Sequence, residues 1–330
     1  MVLPEGNGDI GHTHRGPRMT RIGLLNSVHG QGANGVGHQL LRCHGCENGC
    51  VVGKPEIVFP AISILKPMPA TRHTLGTMRT GHAEKASALV LAAGRGERMR
   101  PLTDTTPKPM LDLGGRPLLG WHLRQLAKAG HRHVVVNTAW LESKVLEGIG
   151  SIWQDPLSPE LKLAITFSQE FRDFGGALET GGGIARALPQ LADVFWVVAG
   201  DVFMPDFDFS IQAMAVFSQS EDRARLWLVP NPVHHPAGDF GLVNDRVLNL
   251  APGATGPRLT FSTLGLYKKT FFVPPVCELP AGNPQGVKAA LAPMLRRGMD
   301  LGWVGGESHA GPWVDVGTPQ RLDELRSLHG

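Results

Sequence analysis

Leu91–Leu111 reads LAAGRGERMRPLTDTTPKPML. An apolar run, Ala88 to Leu91, leads into it and reads as a buried parallel strand. The strand empties into Ala92-Ala93-Gly94-Arg95-Gly96, where small residues let backbone N–H groups close around an anion. Two cations, Arg98 and Lys108, follow within one loop, and Pro107 and Pro109 stiffen the backbone on either side of the lysine. The expectation is a phosphate cradle at the carboxyl end of a strand, with a lysine held in place beside it. Two common phosphate loops are excluded. A Walker A loop needs Lys and then Ser or Thr after its second glycine, whereas Glu97 and Arg98 follow Gly96. A dinucleotide fingerprint needs a third glycine where Met99 stands.

Downstream, helix and strand periods alternate. Apolar residues at helical spacing over Leu118–Ala129 predict a helix that stops at Gly130, and His133–Asn137, with three consecutive valines, predicts a strand covered on both faces. A helix over Leu141–Gly148, a strand over Leu163–Gln169, a helix opened by Gly181-Gly182-Gly183 and a strand over Phe195–Ala199 follow. This alternation predicts a mainly parallel, doubly wound sheet with helices on both faces and ligands at the carboxyl ends of its strands. Strands over Arg225–Val229, Gly241–Asn244, Arg246–Leu250 and Thr260–Tyr267, a helix over Gly286–Arg297 and a last helix over Pro319–Leu328 predict a smaller antiparallel-containing region on one side of the site. No hexapeptide repeat is present, so a fused β-helical acyltransferase half is not expected.

Four further stretches carry candidate chemistry. Asp201 follows the strand ending at Ala199 and Gly200, so its carboxylate is expected to project into the crevice, and Asp315 sits in WVDVGT between apolar residues that fix its direction. Leu178-Glu179-Thr180-Gly181-Gly182-Gly183 opens a helix, and its small residues and N–H groups suit a planar base and its ribose, with Glu179 and Gly182 as nucleotide contacts. In NPVHHPAGDF, Asn231–Phe240, the adjacent histidines diverge and make poor joint metal ligands, and Asp239 is the candidate acceptor for sugar hydroxyls or an amide N–H.

Taken together, LAAGxGERMRPLT, PKPM, NTAWL, LETGGGI, GDV, NPxHHxxGDF, LTFS and WVDVGT resemble the sugar-1-phosphate nucleotidyltransferases over about Ser87–Leu328. NPxHHxxGDF and the short C-terminus resemble the branch of uridylyltransferases that act on N-acetylmuramic acid 1-phosphate in peptidoglycan recycling. The resemblance implies a Rossmann-like sheet of the nucleotide-diphospho-sugar transferase type, with UTP and a sugar 1-phosphate as small-molecule substrates. It implies that Ala92, Ala93, Gly94 and Lys108 bind the nucleoside triphosphate, that Asp201 and Asp315 share Mg2+, that Asp239 binds the amino-sugar phosphate and that Arg98 neutralises phosphate charge. Such a reaction needs no general base. The nucleophile is already a phosphate anion, so catalysis reduces to screening and positioning two substrates that repel each other, which a cation held by one or two carboxylates can do. One departure is Ala199, where this branch commonly has Asn before GD; the loss of a neutral hydrogen bond corresponds to about 0.5–1.5 kcal/mol. Lys288 is a candidate second phosphate ligand. The neighbouring readings keep the chemistry and change the substrates, as mannose-1-phosphate guanylyltransferase or glucose-1-phosphate thymidylyl- or uridylyltransferase; a sensor without turnover is a third.

The 330 residues carry 32 Lys and Arg against 29 Asp and Glu. Nine of the bases and five of the acids lie in residues 1–86, leaving 23 bases against 24 acids for the remainder. The basic character belongs to the N-terminal segment, and no nucleic-acid partner is expected for the catalytic part. That segment holds one of the 21 aromatic residues and 14 of the 42 glycines, too little apolar bulk to offset the entropy of ordering. It is expected to be a disordered extension, with Met78 as an alternative start and residues 87–330 as the nucleotidyltransferase domain. Its CHGCENGC, with Cys43, Cys46 and Cys50, has a spacing that could hold zinc or an iron–sulfur cluster but lacks an assured fourth ligand. Neither a signal peptide nor a transmembrane run is legible, so a cytoplasmic protein without a membrane partner is expected. Nothing in the sequence fixes an oligomeric state.

Overall fold

The computed structural model describes residues 85–329 apart from residue 252. The extension expected before Ser87, with its cysteine cluster and Met78, lies outside the described residues except for Lys85 and Ala86. The strand before the phosphate loop is β1 (Ala86–Ala92). A one-turn helix, α1 (Leu102–Thr105), and a small hairpin, β2 (Asp112–Leu113) with β3 (Arg116–Pro117), lead to α2 (Leu118–Lys128). Then come β4 (His133–Thr138), α3 (Glu142–Ile149), β5 (Ile152–Asp155), β6 (Ser158–Gln169), α4 (Glu170–Phe174), α5 (Glu179–Ala187) and β7 (Leu191–Ala199). After β8 (Val202–Phe203) the chain forms α6 (Ile211–Gln219), β9 (Ala224–Val229), the hairpin β10 (Gly241–Val243) and β11 (Arg246–Leu248), and β12 (Thr260–Lys268). It ends with α7 (Leu291–Asp300), β13 (Val304–Ser308), β14 (Val314–Asp315) and α8 (Pro319–His329).

Among the described residues, ten strands form one sheet in the order β10-β11-β13-β9-β12-β7-β1-β4-β6-β5. β1 is central and pairs in parallel with β4 on one side and β7 on the other. The chain therefore reverses direction across the sheet at β1, and the crevice at such a reversal is where open α/β sheets bind ligands. The antiparallel strands continue this sheet: β12 pairs antiparallel with both β7 and β9.

Alternation along β1 assigns its two faces. Ala88, Val90 and Ala92 pack with Leu119 and Leu123 of α2, whereas Leu89 packs with Ile184 of α5 and Leu295 of α7. A third apolar cluster unites segments far apart in sequence: Met99 from the phosphate loop, Phe203 after Asp201, Val316 after Asp315, and Leu322 and Leu325 of α8. Hydrophobic burial here decides where the polar residues beside these anchors stand.

Two expectations about elements are corrected. The helix expected from Gly286 begins at Leu291, while Gly286 has φ +62° and residues 287–290 run extended against α5. Pro293 supplies the reason, since it fits the first turn of a helix starting at Leu291 but would interrupt one started five residues earlier. The sheet also gains an edge strand, β5, which pairs antiparallel with an early extension of β6 that begins at Ser158. Its four residues show buried–exposed alternation too short to stand out from a loop.

Two buried imidazoles couple the fold to pH. His122 donates from Nε2 to the Val202 carbonyl at 2.8 Å, and burial lowers its pKa from 6.5 to about 4. His131 accepts from Ser87 Oγ at Nδ1 and donates to the Phe209 carbonyl, and burial lowers its pKa as well. Below the unfolded value of 6.5 the unfolded chain binds protons that these rings refuse, so stability is complete above that pH and is lost as pH falls toward about 4. Thermal melts should show a smaller loss between pH 7 and pH 4.5 in His122→Gln than in the parent, the parent's excess being at most on the order of 3 kcal/mol. An equal loss in both would remove His122 as a cause.

Candidate active site

The phosphate loop is closed by its own chain. Gly96 has φ +65°, and a Cβ there would lie 3.0 Å from Lys108 Cβ and 3.1 Å from Thr103 Cγ2, so the turn requires glycine on both counts. Thr103 Oγ1 donates to the Gly96 carbonyl at 2.8 Å. Lys108, between its two prolines, is only 5% exposed, which fixes the ammonium at the inner wall of the loop. Ala93 and Gly94 face the cavity in front of it, while Ala92 is buried and its N–H donates to Asn137 Oδ1 at 2.8 Å. Arg95 lies over the Trp140 ring, 4.5 Å from its centroid.

The ends of β1 and β7 touch because Gly200 allows it. Its N–H donates to the Leu91 carbonyl at 2.8 Å, and a Cβ would fall 2.9 Å from that oxygen. Asp201 follows at once, and its Oδ2 accepts from Lys108 Nζ at 2.6 Å. Asp315 arrives from the other end of the chain through β14, which pairs with β8 so that Asp315 stands opposite Val202. Its Oδ1 is 3.9 Å from the same ammonium, and Arg321 of α8 donates to its Oδ2 at 3.0 Å and to its carbonyl at 2.9 Å. The two aspartates, 114 positions apart in sequence, thus meet around one positive charge. His234 Nε2 stands 3.7 Å from Asp315 Oδ2, with its pKa lowered first by desolvation and then by Arg321.

Cavities flank this centre on both sides. One, of about 200 Å³, is lined by Ala93, Gly94, Lys108, Asn137, Glu179 and Asp201. Across Asp201 lies another of about 390 Å³, lined by Arg98, His234, His235, Thr263, Trp313 and Asp315. A more apolar cavity of about 460 Å³ touches both through Ala199, Glu179, Phe261 and Thr263. Lys108, Asp201, Ala93, Gly94 and Glu179 are therefore gathered at one cavity, with Arg98 and Asp315 at its neighbour.

Three expected contacts stand elsewhere: Ala92, which is buried with its N–H on Asn137, and Gly182 and Asp239. Gly182 is buried with its N–H given to the Ala289 carbonyl at 2.9 Å, and a Cβ would lie 2.7 Å from the Val287 carbonyl oxygen. It serves the close approach of residues 287–290 and does not line the cavity beside Lys108; Glu179, at φ +59°, is the residue turned toward that cavity. Asp239 accepts from the Phe261 N–H at 2.8 Å and from His235 Nε2 at 3.1 Å, and it lines a different cavity of about 440 Å³ with Arg258. Its carboxylate braces the histidine loop against β12, and His235 lines the cavity that also holds Arg98 and Asp315. Lys288 lines a neighbouring cavity of about 870 Å³ with Arg95 and Trp140. Sequence reading missed Arg321, whose position depends on α8 folding back, and the buried pair Asn137 and Glu170. Asn137 lay within NTAWL and Glu170 eight residues before LETGGG, but neither pattern reveals a buried partner.

Among the described residues, no three His, Cys, Asp or Glu side chains converge in a metal cage, and no helix is long and apolar enough to cross a membrane. What is built is a pair of hard oxygen donors opposite a glycine turn that holds a buried lysine.

The model of the family described as "Nucleotidyl transferase" matches residues 87–251. The chain is 45% identical over 246 residues to the N-acetylmuramate α-1-phosphate uridylyltransferase of Neisseria meningitidis serogroup B, covering 74% of this chain and 98% of that one. It is 28% identical to the enzyme of the same name from Caulobacter vibrioides, over 71% of this chain and 92% of that one. In structure it resembles a putative glucose-1-phosphate thymidylyltransferase from Bacillus anthracis, with a TM-score of 0.59 and 18% identity, covering 74% of this chain and 94% of the other. A glycine loop with a buried lysine, two aspartates brought to it from β7 and β14, and these relatives lead to one conclusion: the chain belongs to the nucleotidyl transferase family, as a sugar-1-phosphate nucleotidyltransferase of the N-acetylmuramate α-1-phosphate uridylyltransferase type.

Proposed function

We propose that this protein transfers a uridylyl group from UTP to N-acetylmuramic acid 1-phosphate, releasing pyrophosphate and forming UDP-N-acetylmuramic acid. The observation that carries the chemistry is the meeting of Asp201 and Asp315 at the Lys108 ammonium, at the mouth of the phosphate loop. The choice of substrates is supported by the 45% identity to the Neisseria meningitidis enzyme over nearly its whole length. A phosphate oxygen of the sugar 1-phosphate attacks the α-phosphorus of UTP in line; the new P–O bond forms as the bond to the β-phosphate oxygen breaks, and pyrophosphate leaves with the electron pair. No proton needs moving. Ala93 and Gly94 offer backbone to the triphosphate, Lys108 screens charge between the substrates, and Arg98 faces the sugar-side cavity.

Asp201 and Asp315 fit a hard divalent cation, because two carboxylates directed at one point already hold a positive charge there. Mg2+ bound to them would neutralise charge developing on the phosphate oxygens. The reading is of a cytoplasmic enzyme of peptidoglycan recycling, where UTP and the sugar phosphate are both to hand.

The test is a matrix of UTP, dTTP and GTP against N-acetylmuramic acid, N-acetylglucosamine, glucose and mannose 1-phosphates, read by pyrophosphate release. Highest kcat/KM is expected for UTP with N-acetylmuramic acid 1-phosphate. A preference for GTP with mannose 1-phosphate would overturn the choice of substrates and leave the chemistry standing.

A further inference from the structure

Two walls of the nucleotide cavity are tied together by one buried pair of side chains. Asn137, near the end of β4, is 3% exposed, and Glu170, which opens α4, is fully buried. The Ala92 N–H donates to Asn137 Oδ1 at 2.8 Å, Asn137 Nδ2 donates to Glu170 Oε1 at 2.7 Å, and the Leu178 N–H donates to Glu170 Oε2 at 2.8 Å. Ala92 begins the phosphate loop, and Leu178 precedes Glu179 at the cavity's other wall. Helix α5 crosses the pair at Gly183, where a Cβ would lie 2.6 Å from Glu170 Oε1 and 2.9 Å from Asn137 Nδ2.

Packing alone does not call for such a pair. The preceding residues of β4, Val134 to Val136, fill the core as a continuous apolar run, and the polar group appears where the strand reaches the cavity. Buried polar groups are tolerated when every partner is satisfied. Here each oxygen has its donor, and the chain of bonds fixes the asparagine amide: Oδ1 must face Ala92, so Nδ2 must face Glu170.

We infer that Asn137 and Glu170 are positioning residues for the nucleoside triphosphate, holding the phosphate loop and the start of α5 at the separation the nucleotide spans. The inference rests on the nucleotidyl-transfer reading given above. It makes a demand on polarity as well as size. In Glu170→Gln one oxygen becomes an NH2 group, which must then face either the Asn137 amide or the Leu178 N–H, donor against donor. In Asn137→Asp/Glu170→Gln every bond can be remade, the bond between positions 137 and 170 with its direction reversed and the two backbone N–H bonds as before. The carboxylate introduced at position 137 accepts from the Ala92 N–H and from the amide introduced at position 170, whose oxygen still accepts from the Leu178 N–H.

The experiment measures the Kd of UTP by titration calorimetry, and the KM of each substrate, for the parent, Glu170→Gln and the double variant. Expected are a rise of about tenfold or more in the Kd and KM of UTP for Glu170→Gln, with the KM of the sugar 1-phosphate little changed, and recovery to within about threefold of the parent in the double variant. Unchanged UTP affinity in Glu170→Gln, an equal rise in both KM values, or a double variant no better than the single one would each overturn the proposal. A parent that binds no nucleoside triphosphate at all would instead bring down the nucleotidyl-transfer reading, and this inference with it.

Discussion

Replacing Asp201 by Ala is expected to lower kcat/KM by about a thousandfold or more while the fold survives. Asp201 is the aspartate closest to the buried lysine, at 2.6 Å, and it lines the cavities on both sides of that lysine. Its loss removes charge stabilisation at the point between the substrates, where groups fixed in advance act most strongly; one such group is commonly worth roughly 10²–10³ in rate, and a shared cation would be weakened too. Its side chain is 37% exposed, so truncation opens no large core cavity. Steady-state kinetics with a circular-dichroism melt would separate the effects. A variant with near-parental turnover would remove Asp201 from the mechanism.

The second large effect is expected at Lys108. Lys108→Met keeps the length of the stem and removes the charge, so kcat/KM should fall by roughly 10²–10³. It also leaves Asp201 and Asp315 facing each other without the ammonium between them, and removing one partner of a buried ion pair costs up to about 3–5 kcal/mol, less here because Asp201 is partly exposed. A lower Tm should therefore accompany the kinetic loss, and added divalent cation should recover part of the Tm. Lys108→Arg should not rescue, because Gly96 and Thr103 crowd the lysine stem and a planar guanidinium is not a point charge. Parental kcat/KM in either variant would count against a screening role for Lys108.

How much of this was legible varies with the distance over which the chain acts. The phosphate loop could be read from residues 91–111 because its requirements are local: small residues at the turn, prolines around the lysine, a strand before it. The central strands and α2 were legible from periodicity for the same reason. The start of α7 was misjudged although Pro293 carried the signal, and β5 was too short to register. At the site, Asp201 was legible from its place after a strand, and Asp315 from the apolar residues on either side of it. Gly182 and Asp239 stand away from the cavity that holds Lys108 and Asp201. Each has its polar groups claimed by a segment remote in sequence, Ala289 for the glycine and Phe261 for the aspartate.

By itself the sequence determined the type of sheet, the glycine turn after β1 and the identity of the acidic residues, since backbone conformation and side-chain chemistry follow from neighbours a few positions away. Only the tertiary structure decided that Asp201 and Asp315 share one lysine, that Arg321 holds the second of them, and that Asn137 and Glu170 join the end of β1 to the start of α5. Those meetings are set by the packing of Met99, Phe203, Val316 and α8 in one apolar cluster and by the parallel pairing of β1 with β4 and β7. Burial of surface drives both, and it brings together residues that no local pattern along the chain connects.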